Sequence, residues 1–148
     1  MGIMKWYKME RWFYLHHMTP IAFLIKCSIR IIWGGVIPYQ TKIGEGTVIT
    51  YHGLGVVLNK SAVIGKNCRI RQHVTLASNS EGAPVLGDGV EVGAGAVIVG
   101  NIHIGDHVKI GALAFVNKDL PNNCTAVGVP AKPVKFDSFE NEFQTGIK

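Results

Sequence analysis

Six histidines are the side chains best suited to chemistry near neutral pH: His16, His17, His52, His73, His103 and His107. An imidazole, with a reference pKa near ~6.5, can take a proton from a hydroxyl or hold a metal through its neutral ring. His103 and His107 are four residues apart and flank Ile104. His73 sits inside a regular repeat, and His16 and His17 fall in an N-terminal segment of different character. His52 stands apart from the other five, because it falls where the chain's repeat loses its phase, and irregularities in regular structure are where sites are often built. The three cysteines, Cys27, Cys68 and Cys124, match no metal or disulfide framework and read as small buried or half-buried thiols of a reducing compartment.

The element that must position His52 is a repeat of six residues. From Leu86 every sixth residue is aliphatic: Leu86, Val92, Ile98, Ile104, Ile110 and Val116. Four places after each stands a second apolar residue, as Val90, Ala96, Ile102, Val108, Ala114 and Leu120 show. Upstream, Leu58, Ile64, Ile70 and Leu76 keep the period, and Ile43 and Ile49 begin it, giving twelve hexads over 43–116. Two interruptions break it, nine residues from Ile49 to Leu58 and ten from Leu76 to Leu86. A period of six fits neither a helix nor an alternating strand. It predicts a coil with three flat sides, each a short strand whose aliphatic residue points inward. Glycine is expected at the corners because it tolerates positive φ. Twelve hexads make about four turns, a prism about 20 Å tall at the usual strand spacing.

These residues resemble the hexapeptide-repeat acyltransferases. From Ile37 to Val134 the chain looks like the catalytic half of the serine acetyltransferases, and more like their short relatives in surface-polysaccharide gene clusters. The resemblance is carried by Pro38-Tyr39-Gln40-Thr41-Lys42-Ile43-Gly44, by His52-Gly53-Leu54-Gly55-Val56-Val57, by Ile64 to Cys68, by Val92-Gly93-Ala94-Gly95-Ala96 and by Gly128-Val129-Pro130-Ala131-Lys132-Pro133. It implies an all-β core, a left-handed parallel β-helix of about four coils. General crossover rules alone would favour the right hand.

The resemblance also implies an activity: acetyl-CoA-dependent O-acetyl transfer to a hydroxyl acceptor through a ternary complex. His52 matches the family's general base. Gly93, Ala94, Gly111 and Ala112 match the corners whose backbone holds the pantetheine arm in a groove between neighbouring prisms, small because a larger side chain would close it. Lys118, Lys132 and Lys135 are expected to face the phosphates, and Pro130 and Ala131 to lie near the adenine. The polar stretch around Asn79, Ser80 and Glu81 emerges where the family's substrate loop does. No metal is expected, and the working unit is expected to be a homotrimer. Two departures matter. The family's aspartate that orients the base falls at about Val36 here, so another group, such as a backbone carbonyl, must fix the imidazole. The Arg-His pair before the re-entry proline is replaced by Glu81-Gly82-Ala83-Pro84. Both point away from free serine and towards a sugar hydroxyl of a surface polysaccharide, with serine O-acetylation as the alternative. A non-catalytic scaffold and a zinc enzyme like the γ-class carbonic anhydrases are further alternatives; for the latter, the spacing of His103 and His107 is wrong on a six-residue repeat.

The organisation expected is an N-terminal helical segment (1–36), the β-helix (37–134) and a polar tail (135–148). Aromatic and basic residues alternate over Trp6 to Leu15, which suggests an amphipathic helix. Thr19-Pro20 reads as cap and first residue of a second helix, Ile21 to Trp33, ended by Gly34-Gly35. That helix carries Lys26 and Arg30 and is too short to span a bilayer. The pair is expected to pack on the coil or a neighbouring subunit, with peripheral membrane contact through residues 1–33 as the alternative. The net charge is +5 with no run of five basic residues, which argues against nucleic acid. The N-terminus does not have the form of a secretion signal, so a cytoplasmic location is expected.

Overall fold

The computed structural model describes residues 2–136; residues 137–148 of the expected tail lie outside them. Two helices precede four complete coils. Helix α1 spans Ile3–Leu15 and α2 spans Thr19–Trp33. The first coil holds β1 (Lys42–Ile43), β2 (Val48–Ile49) and β3 (Val57–Leu58); the second, β4 (Val63–Ile64), β5 (Arg69–Ile70) and β6 (Thr75–Ala77). The third holds β7 (Val85–Leu86), β8 (Glu91–Val92) and β9 (Val97–Val99); the fourth, β10 (His103–Ile104), β11 (Lys109–Ile110) and β12 (Phe115–Val116). A hairpin of β13 (Cys124–Gly128) and β14 (Ala131–Phe136) closes the top.

Each coil contributes one strand to each of three parallel faces. The first face runs β1-β4-β7-β10, the second β2-β5-β8-β11-β13-β14 and the third β3-β6-β9-β12, and among the described residues only the final β13–β14 pair is antiparallel. Eleven of the twelve hexad aliphatics are buried, and Ile43, in the lowest strand of the first face, is half-buried. The phase therefore survives both interruptions: each extra stretch bulges from a corner and the next anchor turns inward again. The second apolar slot is filled by Ala62, Cys68, Val74, Val90, Ala96, Val108 and Ala114, all buried.

The glycines of the hexads are of two kinds. Gly46, Gly89 and Gly95 have the positive φ expected of corner glycines, at positions that Asn67, His73, His107 and Leu113 take in other coils. The glycine that follows each aliphatic is instead pressed by the coil above. A Cβ on Gly93 would lie 2.5 Å from the Ala112 nitrogen and 2.6 Å from the Gly111 carbonyl carbon. Real Cβ atoms do not approach backbone that closely, so the stacking distance itself demands glycine.

The helices cap the open lower end of the prism, which a solenoid needs because its first coil has no neighbour below. Ile3, Tyr7, Ile25 and Ile29 join Ile37, Ile49 and Val56 in one core. Tyr7 Oη donates to the Thr41 carbonyl at 2.6 Å and Arg11 Nη1 to the Tyr39 carbonyl at 2.8 Å, tying α1 to the strand entry. The cap residue of α2 is Met18 rather than Thr19, with Pro20 in the first turn and Gly34 left-handed at the end. The three cysteines are free thiols; Cys68 and Cys124 are buried and Cys27 half-buried.

Glu10 is the anomaly of this junction. It lies on the buried stripe of α1 with Ile3 and Tyr7, is 0% exposed, and neither carboxylate oxygen makes a well-formed hydrogen bond, the Tyr39 backbone N–H being close enough only for a weak interaction. Burial pushes its pKa up to about 8, with the Tyr39 backbone and Lys26 offsetting this only in part. Folded Glu10 thus keeps its proton at pH values where the unfolded chain, titrating near 4.5, has lost it. Below that value both states are protonated and folding carries no penalty; stability then falls as pH rises towards 8. Glu10→Gln removes this slope. Thermal unfolding should show the variant gaining on the parent from pH 5 to 8, by about 3 kcal/mol over that range. Parallel melting curves across that range would refute the assignment.

Candidate active site

His52 sits on the first irregular stretch, at the corner between the second and third faces. Thr50 leaves β2 extended, and then three residues in succession are left-handed: Tyr51 (φ 50), His52 (φ 53) and Gly53 (φ 74). This conformation costs about 1 kcal/mol for each residue that carries a Cβ. The turn is held by Gly53 N–H to the Thr50 carbonyl (3.0 Å), Leu54 N–H to Tyr51 (3.2 Å) and Val56 N–H to Gly53 (2.9 Å). Gly53 is buried, and a Cβ there would lie 2.6 Å from Ile3 Cδ1 of the helical cap. The buried glycine and the cap beneath it push Tyr51 and His52 outward, where both are exposed.

Trp33, the last residue of α2, stacks on the imidazole with centroids 6.4 Å apart and planes at 26°, and Trp6 braces Trp33 edge-on at 5.2 Å. Among the described residues no hydrogen bond reaches the His52 ring, so the backbone carbonyl expected in place of the missing aspartate is not found there. Val36 is engaged in the coil instead, donating to the Val56 carbonyl at 2.7 Å and accepting from Leu58 N–H at 2.8 Å. The neighbour the ring does have is an aromatic face supplied by the helical cap.

The same corner rises through every coil. His73 N–H donates to the Leu54 carbonyl, Gly95 N–H to Gln72 and Leu113 N–H to Ala94, each at 2.9–3.0 Å. Gly93, Ala94, Gly111 and Ala112 therefore stand on the edge that begins with His52, one coil and two coils above His73. Gly111 N–H bonds to Ala126, and β13 carries this edge to Gly128, so Pro130, Ala131, Lys132 and Lys135 belong to the hairpin at its top. Within one prism the coil above already requires Gly93 and Gly111 to be small, through Ala112 in the one case and Val127 in the other.

Two residues of this edge escaped the sequence reading. His73 is exposed, left-handed (φ 58), and its ring lies against Gly55, where any Cβ would collide with it. The signal was available, since three hexads separate Gly55 from His73. Leu113, also left-handed and 74% exposed, covers Gly95 in the same way.

Other expected site residues lie elsewhere. Asn79, Ser80, Glu81 and Lys118 occupy the corner between the third and first faces, so one protomer does not bring them to His52. Asn79 is also engaged within its own loop: its Oδ1 accepts from Glu81 N–H at 2.9 Å and Gly82 N–H at 3.1 Å. A cavity of about 570 Å³ lies on the first face around Val85, His103 and Asp119, away from the His52 corner. A smaller one, about 360 Å³, is lined by Thr50, Tyr51, Arg69 and Arg71 and adjoins it. Among the described residues no three His, Cys, Asp or Glu side chains converge on a metal-sized site.

A three-faced coil of six-residue rungs with an exposed imidazole on one edge defines a hexapeptide-repeat protein, and residues 83–118 match the bacterial transferase hexapeptide family (six repeats). The serine acetyltransferase of Helicobacter pylori is 43% identical over 121 residues, covering 79% of this chain and 70% of the relative. That of Synechococcus elongatus is 36% identical over 132 residues, covering 86% of this chain and 54% of the relative. A solved structure of a serine acetyltransferase in complex with CoA superposes with a TM-score of 0.83 at 32% identity, covering 89% of this chain and 55% of that one. The chain belongs to the serine acetyltransferase family of hexapeptide-repeat acyltransferases, and its coil is the left-handed parallel β-helix. It spans about half the length of several of the relatives it matches.

Proposed function

We propose that this chain is an acetyl-CoA-dependent O-acetyltransferase with His52 as general base and serine as the first acceptor to test. The observation that carries the reading is the strained left-handed turn, which presents an exposed imidazole at the foot of the edge lined by Gly93, Ala94, Gly111 and Ala112. The relatives favour serine over the sugar acceptor expected from sequence. The missing aspartate at Val36 and the missing Arg-His pair at Glu81–Pro84 are the features that still favour a different hydroxyl.

The steps need little from the protein. A hydroxyl is far too weak an acid to ionise alone near neutral pH. His52 takes its proton as the oxygen attacks the thioester carbonyl. The tetrahedral intermediate collapses by breaking the carbon–sulfur bond, and the departing thiolate takes the proton back from the imidazolium. No covalent enzyme intermediate is required. Trp33 holds the ring plane while the proton is in transit. Lys132 and Lys135, at the top of the edge, would meet the CoA phosphates as point charges. In this reading the active unit is a homotrimer, whose neighbouring prism brings the Asn79–Glu81 loop and Lys118 towards a His52 edge and covers the exposed Phe23, Leu24, Ile31 and Ile32 of α2.

A thiol-release assay with acetyl-CoA and a panel of serine and sugar acceptors tests the reading. Serine should support turnover at least ~10-fold above the acceptor-free rate. Turnover with sugars and none with serine would return the acceptor to a glycan.

A further inference from the structure

We propose that the outer side of α1 and the turn between α1 and α2 form a docking surface for an anionic lipid bilayer. Lys5, Lys8, Trp12 and Leu15 recur at steps of three and four residues, so they line one side of α1. That side is opposite the buried stripe of Ile3, Tyr7 and Glu10. Trp12 is 53% exposed and Leu15 60%. From Leu15 to Ile21 every residue is exposed, so Met18 and Ile21 extend the apolar patch around the turn. The Trp12 indole is held in place. The His16 ring stacks on it with centroids 4.1 Å apart, and Phe13 meets it edge-on at 5.1 Å. His16 Nδ1 donates to the Trp12 carbonyl at 2.8 Å, which ties that ring to the helix end.

The charges select the occupant. Residues 1–36 carry Lys5, Lys8, Arg11, Lys26 and Arg30, and their one acidic residue is Glu10. Glu10 is buried, so the cap presents no exposed carboxylate. Most of the chain's net charge of +5 therefore sits on this cap. An indole and aliphatic tips rimmed by lysines suit the boundary between headgroups and acyl chains, where the apolar groups insert and the ammonium groups meet phosphates. A second copy fits poorly, because an interface between identical faces would set Lys5 and Lys8 against their own copies with no acid between them. No helix among the described residues is long and apolar enough to cross a membrane, and this patch needs to reach only the headgroup layer. It is separate from the α2 side chains given above to the neighbouring prism. It belongs to the same cap as Trp33, which stacks on His52, so docking brings the foot of the His52 edge towards the bilayer whichever hydroxyl is the acceptor.

Cosedimentation of the full chain with vesicles tests the surface, with phosphatidylcholine alone set against phosphatidylcholine containing phosphatidylglycerol. Binding to the anionic vesicles should be at least ~10-fold tighter, and added salt should weaken it. Trp12→Ser/Leu15→Ser and Lys5→Gln/Lys8→Gln should each weaken it at least ~10-fold. All four side chains are exposed, so the melting temperature should stay at the parent's value. A lowered melting temperature in one pair leaves the decision to the other pair and to the parent's lipid preference. Equal binding to both kinds of vesicle, binding to neither, or parent-like binding in either double variant overturns the proposal. So does an assembly of lipid-free protein larger than a trimer that Trp12→Ser/Leu15→Ser abolishes, because the occupant would then be a second copy.

Discussion

Replacing His52 by alanine is expected to lower turnover at least ~10²-fold while leaving acetyl-CoA affinity within about twofold. The asymmetry follows from where the ring sits. It is exposed at the tip of a turn whose structural work is done by its neighbours: Gly53 is packed against Ile3, and Val56 is buried in the core. Truncating the imidazole therefore removes the proton acceptor and little of the fold. It also relieves nothing at the backbone, because alanine keeps a Cβ at φ 53. The edge residues expected to hold the thioester lie two or more coils above and are untouched. His73 supplies the control. It is on the same edge, one coil up, with its ring against Gly55. Steady-state kinetics on both alanine variants distinguish the two imidazoles: a near-normal rate in His52→Ala with a large loss in His73→Ala would move the base one coil higher.

Gly65→Ala is expected to destabilise the protein by about 3 kcal/mol, out of the roughly 5–15 kcal/mol that holds a typical domain folded. The added methyl would lie 2.5 Å from the Gly87 carbonyl carbon and 2.5 Å from Asp88 Oδ1. Backbone of the next coil cannot retreat without breaking the bonds that stack it: Gly65 N–H to the Leu86 carbonyl at 2.9 Å and Gly87 N–H to Ile104 at 2.8 Å. Overpacking of this kind is costly because the strain passes to every coil above. Two residues away, Asn67 has φ 53 and sits on the same corner for the opposite reason. There the coil needs a left-handed residue and leaves room for a side chain, so Asn67→Gly should be close to neutral. Urea unfolding of the two variants reads the difference directly. If the two substitutions moved the midpoint equally, close approach between coils would not be what selects glycine after the hexad aliphatic.

The fold was legible in the sequence because the rule that builds it is local and repeated. An aliphatic residue every six positions states which side chain points inward on each face, and the phase can be recovered after an insertion because the next anchor resumes it. The two helices were legible for the same reason, from Pro20 near the start of one and Gly34 at its end. His52 was legible because a fault in a strict repeat can be seen without knowing the fold. What lay beyond local rules was neighbourhood. Eighteen residues make one coil only where no loop intervenes, and the extra residues between Ile49 and Leu58 hid that His73 stands one coil above His52. The Asn79–Glu81 loop was expected near the acceptor only from the resemblance; stacking sets that loop and His52 on different edges of one protomer. Arg69 and Arg71 are unremarkable on β5 until the coil below places Thr50 and Tyr51 beside them. Glu10 reads as a solvated residue of an amphipathic helix until the cap packs it against the strand entry. The glycines after the hexad aliphatics give the clearest separation: their positions were written in the repeat, whereas their reason, a neighbouring backbone too close for a methyl group, exists only once one coil lies on another.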